Sequence, residues 1–126
     1  AYRIYRMSYI WKSSKQYSKM NMNDFYLMDM TQENKGLATI LKAMGHPTRI
    51  AIFNLLHRAR CNRLTVKSIY EGLNIDQPSA SRHLGIMRNI GILERVQEAQ
   101  NTFYCICEEN PIIDCFRRCF DKPFFE

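Results

Sequence analysis

The stretch NIDQPSASRHLGIMRNIGIL, residues 74–93, constrains the fold more than any other part of the chain. A proline stands where a first helical turn would be, and Gly91 follows the last apolar position at helical spacing. At 100° per residue, Ala80, Leu84 and Met87 share one face. The opposite face offers a hydroxyl, a guanidinium and an amide, and it consists of Pro78, Ser79, Arg82, Gly85, Ile86 and Asn89. The stretch therefore predicts a short helix that packs an apolar back against a core and exposes a polar front.

Three further helices are predicted ahead of this stretch, in residues 31–45, 46–62 and 64–74. The first starts with a threonine, the second with a proline near its first turn, and the third begins at Thr65 and closes near Asn74. Their apolar positions at helical spacing are Leu37, Ile40, Leu41 and Met44, then Ile50, Ile52, Phe53 and Leu56, then Val66, Ile69, Tyr70 and Leu73. A short third helix, a turn of about four residues and a polar-fronted fourth helix form a helix-turn-helix arrangement, whose second helix enters the major groove of DNA.

The residues after the fourth helix predict a β-hairpin and one last helix. ILERVQ and TFYCICE alternate apolar and polar residues, with EAQN between them as the turn. A hairpin directly after a recognition helix is a wing. Asn110 and Pro111 provide a cap and a first turn for the last helix, which Pro123 ends. The apolar stripe of that helix comprises Ile112, Cys115 or Phe116, Cys119 and Phe120. A stripe so apolar is often covered by a second subunit.

Together these elements predict a mainly α fold with a small β-hairpin, a winged helix-turn-helix in the order α1-α2-α3-α4-β-β-α5. Residues 31–126 form the predicted DNA-binding and dimerisation domain. Residues 1–30 are a basic, aromatic extension, and residues 1–29 carry five basic side chains against two acidic ones. Three interpretations of the extension stay open: an arm that touches DNA phosphates, an extra helix at a dimer interface, or an artefact of start-site choice.

The composition favours a nucleic-acid partner, because a net charge of +6 and a pI near 9.2 suit a polyanion. Five cysteines is an odd number, and no apolar run approaches the roughly 20 residues that a membrane span requires. We therefore expect neither a disulfide scaffold nor a membrane protein, and free thiols in a reducing cytoplasm are the default. An enzyme is not expected either, since no nucleophile stands with a base in a recognisable motif and no glycine-rich phosphate loop occurs.

The segment LKAMGHPTRIAIFNLL, joined to LTVKSIYEGLNIDQPSASRHLGIMRNIGILERV, resembles the ArsR-type winged-helix repressors, a family of bacterial metal- and stress-responsive regulators. GHPTRI in the second helix and QPSASRHLGIMRNIGIL in the fourth match the two best signatures of that family in register, and the resemblance covers residues 35–107. It implies a homodimer built through the first and last helices, two recognition helices in successive major grooves of an inverted repeat, and repression that an inducer relieves.

The resemblance places Gln77, Ser79, Ser81 and Arg82 where the family contacts DNA, with His83 beside them. The polar front of the fourth helix and the wing add Asn89 and Arg95 to the predicted DNA-binding residues. His83 lies toward the edge of the buried face, which favours packing or a backbone hydrogen bond over base contact. The wing departs from the basic character usual in the family, because Glu94 and Glu98 accompany its arginine. A winged helix used only for protein–protein contact therefore stays an alternative.

The sequence says least about the chemistry by which the protein would sense an inducer. Family metal sites use a Cys-x-Cys in the third helix or Asp/His clusters in the last, and here the third helix has no cysteine and the last no histidine. Cys105 and Cys107 alternate along a strand, and Cys115 and Cys119 are one helical turn apart. Two thiolates from each pair would suit a soft metal in tetrahedral geometry, or the last-helix pair would be oxidised against its symmetry mates. Packing as small hydrophobes is the favoured interpretation, so no cofactor is predicted.

Overall fold

The computed structural model describes residues 32–121, which contain five helices and three strands. The helices are α1 Gln32–Met44, α2 Pro47–Arg58, α3 Val66–Leu73, α4 Gln77–Asn89 and α5 Ile112–Asp121. The strands are β1 Arg63–Thr65, β2 Leu93–Glu98 and β3 Asn101–Ile106. The predicted winged helix-turn-helix is confirmed. The predicted extension, residues 1–30, lies outside the described residues, as does Pro123. None of the five described helices has the length and apolar character that a membrane crossing needs.

The sheet has one strand more than the predicted hairpin. β2 and β3 pair antiparallel, and their pairing extends to Glu98 opposite Asn101. The turn between the strands therefore has two residues instead of the predicted four. β1 adds to the other edge of β3, with Leu64 opposite Tyr104. Three residues are too few to show an alternating pattern, so the sequence does not predict β1. The strand forms because β3 offers it a hydrogen-bonding edge.

The core is shared between the helices and the sheet. Its buried apolar residues are Ile40, Met44, Ile52, Phe53, Leu56, Ile69, Leu84, Met87, Ile92, Leu93, Tyr104, Ile106 and Ile113. The predicted positions Leu37, Val66, Tyr70 and Leu73 are half-buried. α4 packs against α3, against α2 and against β2. Since close-packed cores resist displacement, this packing determines where the other face of α4 points.

Two apolar residues predicted to be buried are exposed: Leu41 is 51% exposed and Ile50 is 42% exposed. The apolar stripes of α1 and α2 are wider than the faces that meet the core, so part of each stripe opens on a groove shared with α5. This groove, the α1–α2–α5 groove, is lined by Leu41, Met44, Gly45, Ile50, Phe53, Phe116, Cys119 and Phe120. Cys115 and Cys119 are exposed too, whereas Cys107 is buried, so within one chain the packing interpretation fits Cys107 but not the last-helix pair.

Candidate nucleic-acid interface

Three residues connect α3 to α4, and side chains cap both helices around this connection. Thr65 caps α3, as predicted, by accepting a hydrogen bond from the backbone N–H of Ser68 at 3.1 Å. Asn74 ends α3 in the left-handed conformation with a φ of 54°, which asparagine tolerates. Asp76 caps α4, since its Oδ2 accepts from the backbone N–H of Ser79 at 2.9 Å. The short, capped connection holds α4 at one angle to α3, as a helix-turn-helix requires.

The back of α4 is part of the core. Ala80, Leu84 and Met87 have no exposed surface, which confirms the predicted apolar face. After the last turn, Gly91 takes a φ of +82° and donates from its N–H to the carbonyl oxygen of Arg88. The next N–H, that of Ile92, bonds to the carbonyl oxygen of Met87. This is a Schellman ending, which needs a left-handed residue and so explains the glycine.

The front of α4 is exposed and polar. The predicted DNA-binding residues on it are Gln77, Ser79, Ser81, Arg82 and Asn89, of which only Ser79 is half-buried. Within the described part of the chain, Arg82 forms no hydrogen bond or salt bridge. A methyl group added at Gly85 would meet no atom within 4 Å, so this surface permits close approach by a partner. Arg88, which the sequence analysis did not single out, is also exposed in the last turn.

His83 differs from the other predicted DNA-binding residues because it is buried, with 6% of its surface exposed. Its Nδ1 accepts a hydrogen bond from Nε of Arg49 at 3.2 Å, and its ring lies 4.6 Å from that of His46. The burial of His83 agrees with the packing interpretation rather than with its inclusion among the DNA-contacting residues, and its hydrogen bond is to a side chain of α2 rather than to the backbone. The GHPTRI motif contains both partners, but sequence reasoning used it only for the family resemblance.

The negative charge of the wing is partly balanced by an arginine from outside the hairpin. Arg63 in β1 binds both carboxylate oxygens of Glu98, at 2.7 and 2.9 Å, and stacks over the ring of Phe103. This pairing lowers the pKa of Glu98 and neutralises one of the two acids near Arg95. Arg95 itself is exposed on β2. β1, which the sequence does not predict, thus supplies an arginine that offsets part of the negative charge of the wing. That charge was the reason to doubt that the wing contacts DNA.

The four candidate thiols do not come together in one chain. Among the residues from 34 to 121, whose side chains are described, no three His, Cys, Asp or Glu side chains are placed to hold a metal ion. Cys105 and Cys107 both contact Glu94, through its carbonyl oxygen and its carboxylate respectively. Burial first, and then Glu94, raise the pKa of Cys107 to about 11, so this thiol is protonated at neutral pH. Within one chain, therefore, the two cysteine pairs do not lie together.

Comparisons with known proteins centre on the same region. A family model described as a helix-turn-helix domain matches residues 44–96, which include all of α2, α3 and α4. A helix-turn-helix-type transcriptional regulator of Methanocaldococcus jannaschii is 38% identical over 72 residues, which is 57% of this chain and 79% of that protein. A biofilm growth-associated repressor of Agrobacterium fabrum is 28% identical over 90 residues, covering 71% of this chain and 74% of the repressor. The homodimeric winged helix-turn-helix DNA-binding domain of a Mycobacterium bovis protein superposes with a TM-score of 0.60 at 19% identity, over 83% of this chain and 91% of that domain.

Proposed function

Because the chain belongs to the ArsR-type winged helix-turn-helix family and is a DNA-binding transcriptional regulator, we propose that it acts as a homodimeric repressor in the cytoplasm. In this proposal the α4 helix of each subunit enters the major groove of one half of an inverted-repeat operator. The observation that carries the proposal is the exposed polar front of α4, set on a back that is fully buried. A rigid helix with such a front presents the same side chains to every duplex it meets.

The proposed DNA contacts follow from side-chain chemistry and exposure. Arg82 is long enough to bind a guanine edge with two hydrogen bonds or to pair with a phosphate, and Gln77 suits an adenine edge. The hydroxyls of Ser79 and Ser81 lie in the first turns of α4, where the N–H groups and the helix dipole favour a phosphate. The remaining proposed contacts to the DNA backbone are Asn89 and Arg95.

We propose that a second copy of the chain covers the α1–α2–α5 groove. The groove leaves Leu41 and Ile50 exposed, and it receives apolar side chains from three helices. A contiguous apolar surface of this kind is rare on monomers and typical of subunit interfaces. The Mycobacterium bovis domain, which shares this fold, is a homodimer. Through this groove, α1 and α5 would supply the dimer interface that the family resemblance implies.

The operator proposal predicts the outcome of selecting bound duplexes from a random pool. The enriched duplex should be an imperfect inverted repeat whose half-site centres are about 10 bp, or a small multiple of that, apart. Its affinity should fall steeply with salt, with a log–log slope of about −0.9 for each phosphate neutralised. Anisotropy titrations over a salt series measure that slope. If no duplex is enriched, the operator proposal fails and protein–protein contact becomes the better interpretation.

The dimer proposal predicts that Leu41→Glu makes the protein monomeric without unfolding it. Leu41 is already half-exposed in the single chain, so the carboxylate costs little there but would be buried without a partner in the dimer. Operator affinity should fall by a hundredfold or so, because the two half-sites would no longer be bound by linked modules. Thr39→Glu adds the same charge to an exposed position of α1 and should leave both properties unchanged. Sedimentation equilibrium measures the oligomeric state, and a dimeric Leu41→Glu protein would exclude this interface.

A further inference from the structure

One guanidinium group joins three helices beside the recognition surface. Arg49, in α2, donates from Nε to Nδ1 of His83 in α4 at 3.2 Å, and from Nη1 to the carbonyl oxygen of Ala43 in α1 at 2.8 Å. His83 directly follows Arg82, so this Arg49–His83 link lies one residue from the side chain proposed to contact bases. Neither member of the link belongs to the proposed contact set.

The link requires a neutral imidazole. Nδ1 of His83 accepts a hydrogen bond only while it carries no proton, so the ring proton is on Nε2. The titratable or charged groups that act on His83 are His46, Arg49 and Arg82. α3 and β2 also pack against α4, yet no carboxylate within the described residues acts on this ring. Burial first, and then these three neighbours, lower the pKa of His83 below its ordinary value of 6.5.

A proton added to Nδ1 would turn this acceptor into a donor that faces a guanidinium. The hydrogen bond would be lost, and two cations would repel each other in a site where water screens them poorly. Because the pKa of His83 is lowered in the folded protein, the linked form is complete above about pH 6.5 and is lost as the pH falls through the folded pKa.

We propose that Arg49 is a positioning residue for DNA binding, which holds α4 at its DNA-competent angle through His83, and that acidification weakens operator binding by breaking this link. The inference rests on the proposed function, since it takes α4 as the DNA-contacting helix. A positive charge added near DNA would, by itself, strengthen binding to every duplex. Loss of the Arg49–His83 link should instead weaken binding to the selected operator only. Titrations with the operator and with a random duplex therefore distinguish the two effects.

The test is a pair of titrations, with the selected operator and with a random duplex, from about pH 7.5 to about pH 4.5, a range that extends well below the ordinary histidine pKa because that of His83 is lowered. Operator affinity of the wild type should fall roughly tenfold, the worth of one charge-assisted hydrogen bond, while random-duplex affinity should not fall. His83→Asn keeps an acceptor near the Nδ1 position but cannot titrate, so its operator affinity should stay high and independent of pH. Arg49→Met should bind the operator roughly tenfold more weakly at every pH, since its link is absent throughout.

Matched controls come from the same helix. Arg58→Met removes an arginine of α2 whose Nε bonds to Asn54, and His57→Asn removes a histidine that accepts from Arg117 instead of a group near α4. Both should keep the wild-type pH profile. In the wild type, the nuclear magnetic resonance titration of His83 should show the same midpoint as operator affinity. This measurement needs no variant and therefore stands even where a substitution impairs folding.

The proposal is overturned if His83→Asn, folded by circular dichroism, keeps the pH dependence of the wild type. It is also overturned if Arg49→Met binds the operator as tightly as the wild type, or if the His83 midpoint and the binding midpoint differ. Failure of the proposed function looks different, because then the wild type would prefer no duplex at any pH.

Discussion

Replacing Arg82 with alanine is expected to remove much of the operator preference of the protein while leaving its fold intact. The guanidinium is exposed and forms no hydrogen bond or salt bridge within residues 34–121, so its loss breaks nothing there. If it binds a guanine edge, the cost should be about 1–3 kcal/mol per half-site, with relaxed preference at one position of each half. Competition titrations against operators with single base changes measure both quantities.

A phosphate contact by Arg82 would give a different result. All duplexes would weaken alike, and the salt slope would shrink by about one per contact. Arg88→Ala serves as the matched control, because it removes the same charge from the last turn of α4, at the end away from the proposed base contacts. Its effect should be smaller and independent of sequence. A folded Arg82→Ala protein with unchanged DNA binding would contradict the assignment of α4 as the recognition helix.

Replacing Leu84 with alanine is expected to destabilise the whole domain rather than change its specificity. Leu84 has no exposed surface and packs in the core behind the polar front of α4. Truncation of a buried leucine leaves a cavity, and the free energy of unfolding should fall by about 2–5 kcal/mol. Urea denaturation followed by circular dichroism measures this change. The free energy of unfolding of a small domain is about 5–15 kcal/mol in total, so the variant should be partly unfolded at moderate temperature.

The control for Leu84→Ala is Leu84→Met, which keeps the volume and should cost less than about 1.5 kcal/mol. Under conditions where both variants are folded, their ranking of operator sequences should match that of the wild type, because neither touches the front of α4. If Leu84→Ala keeps wild-type stability, the described packing of α4 against the core is wrong.

The helix-turn-helix and most of its exposed front were predictable because short-range rules determine them. The proline at position 78, the glycine at position 91 and the spacing of Ala80, Leu84 and Met87 each act within a few residues along the chain. Helical periodicity then assigns a back and a front with no knowledge of the neighbouring helices. The alternation in the wing predicted β2 and β3 for the same reason.

Positions at the edge of a stripe were not decided by periodicity. Leu41 and Ile50 fit the apolar pattern as well as their buried neighbours do, yet the core covers only part of each stripe. β1 carries too short a pattern to be predicted, and β3 provides the edge that makes it a strand. The exposure of Cys119 likewise depends on how α5 packs against α1 and α2.

The sequence by itself determined which segments form the helices and the hairpin, and which side chains the front of the recognition helix offers to DNA. Only the tertiary structure decided that Arg49 of α2 is the hydrogen-bond partner of His83, and that an apolar groove stays open between α1, α2 and α5. The physical reason is the separation along the chain of the residues that interact. Caps and periodicity act between residues a few positions apart, whereas Arg49 and His83 are 34 residues apart and meet only after three helices have packed.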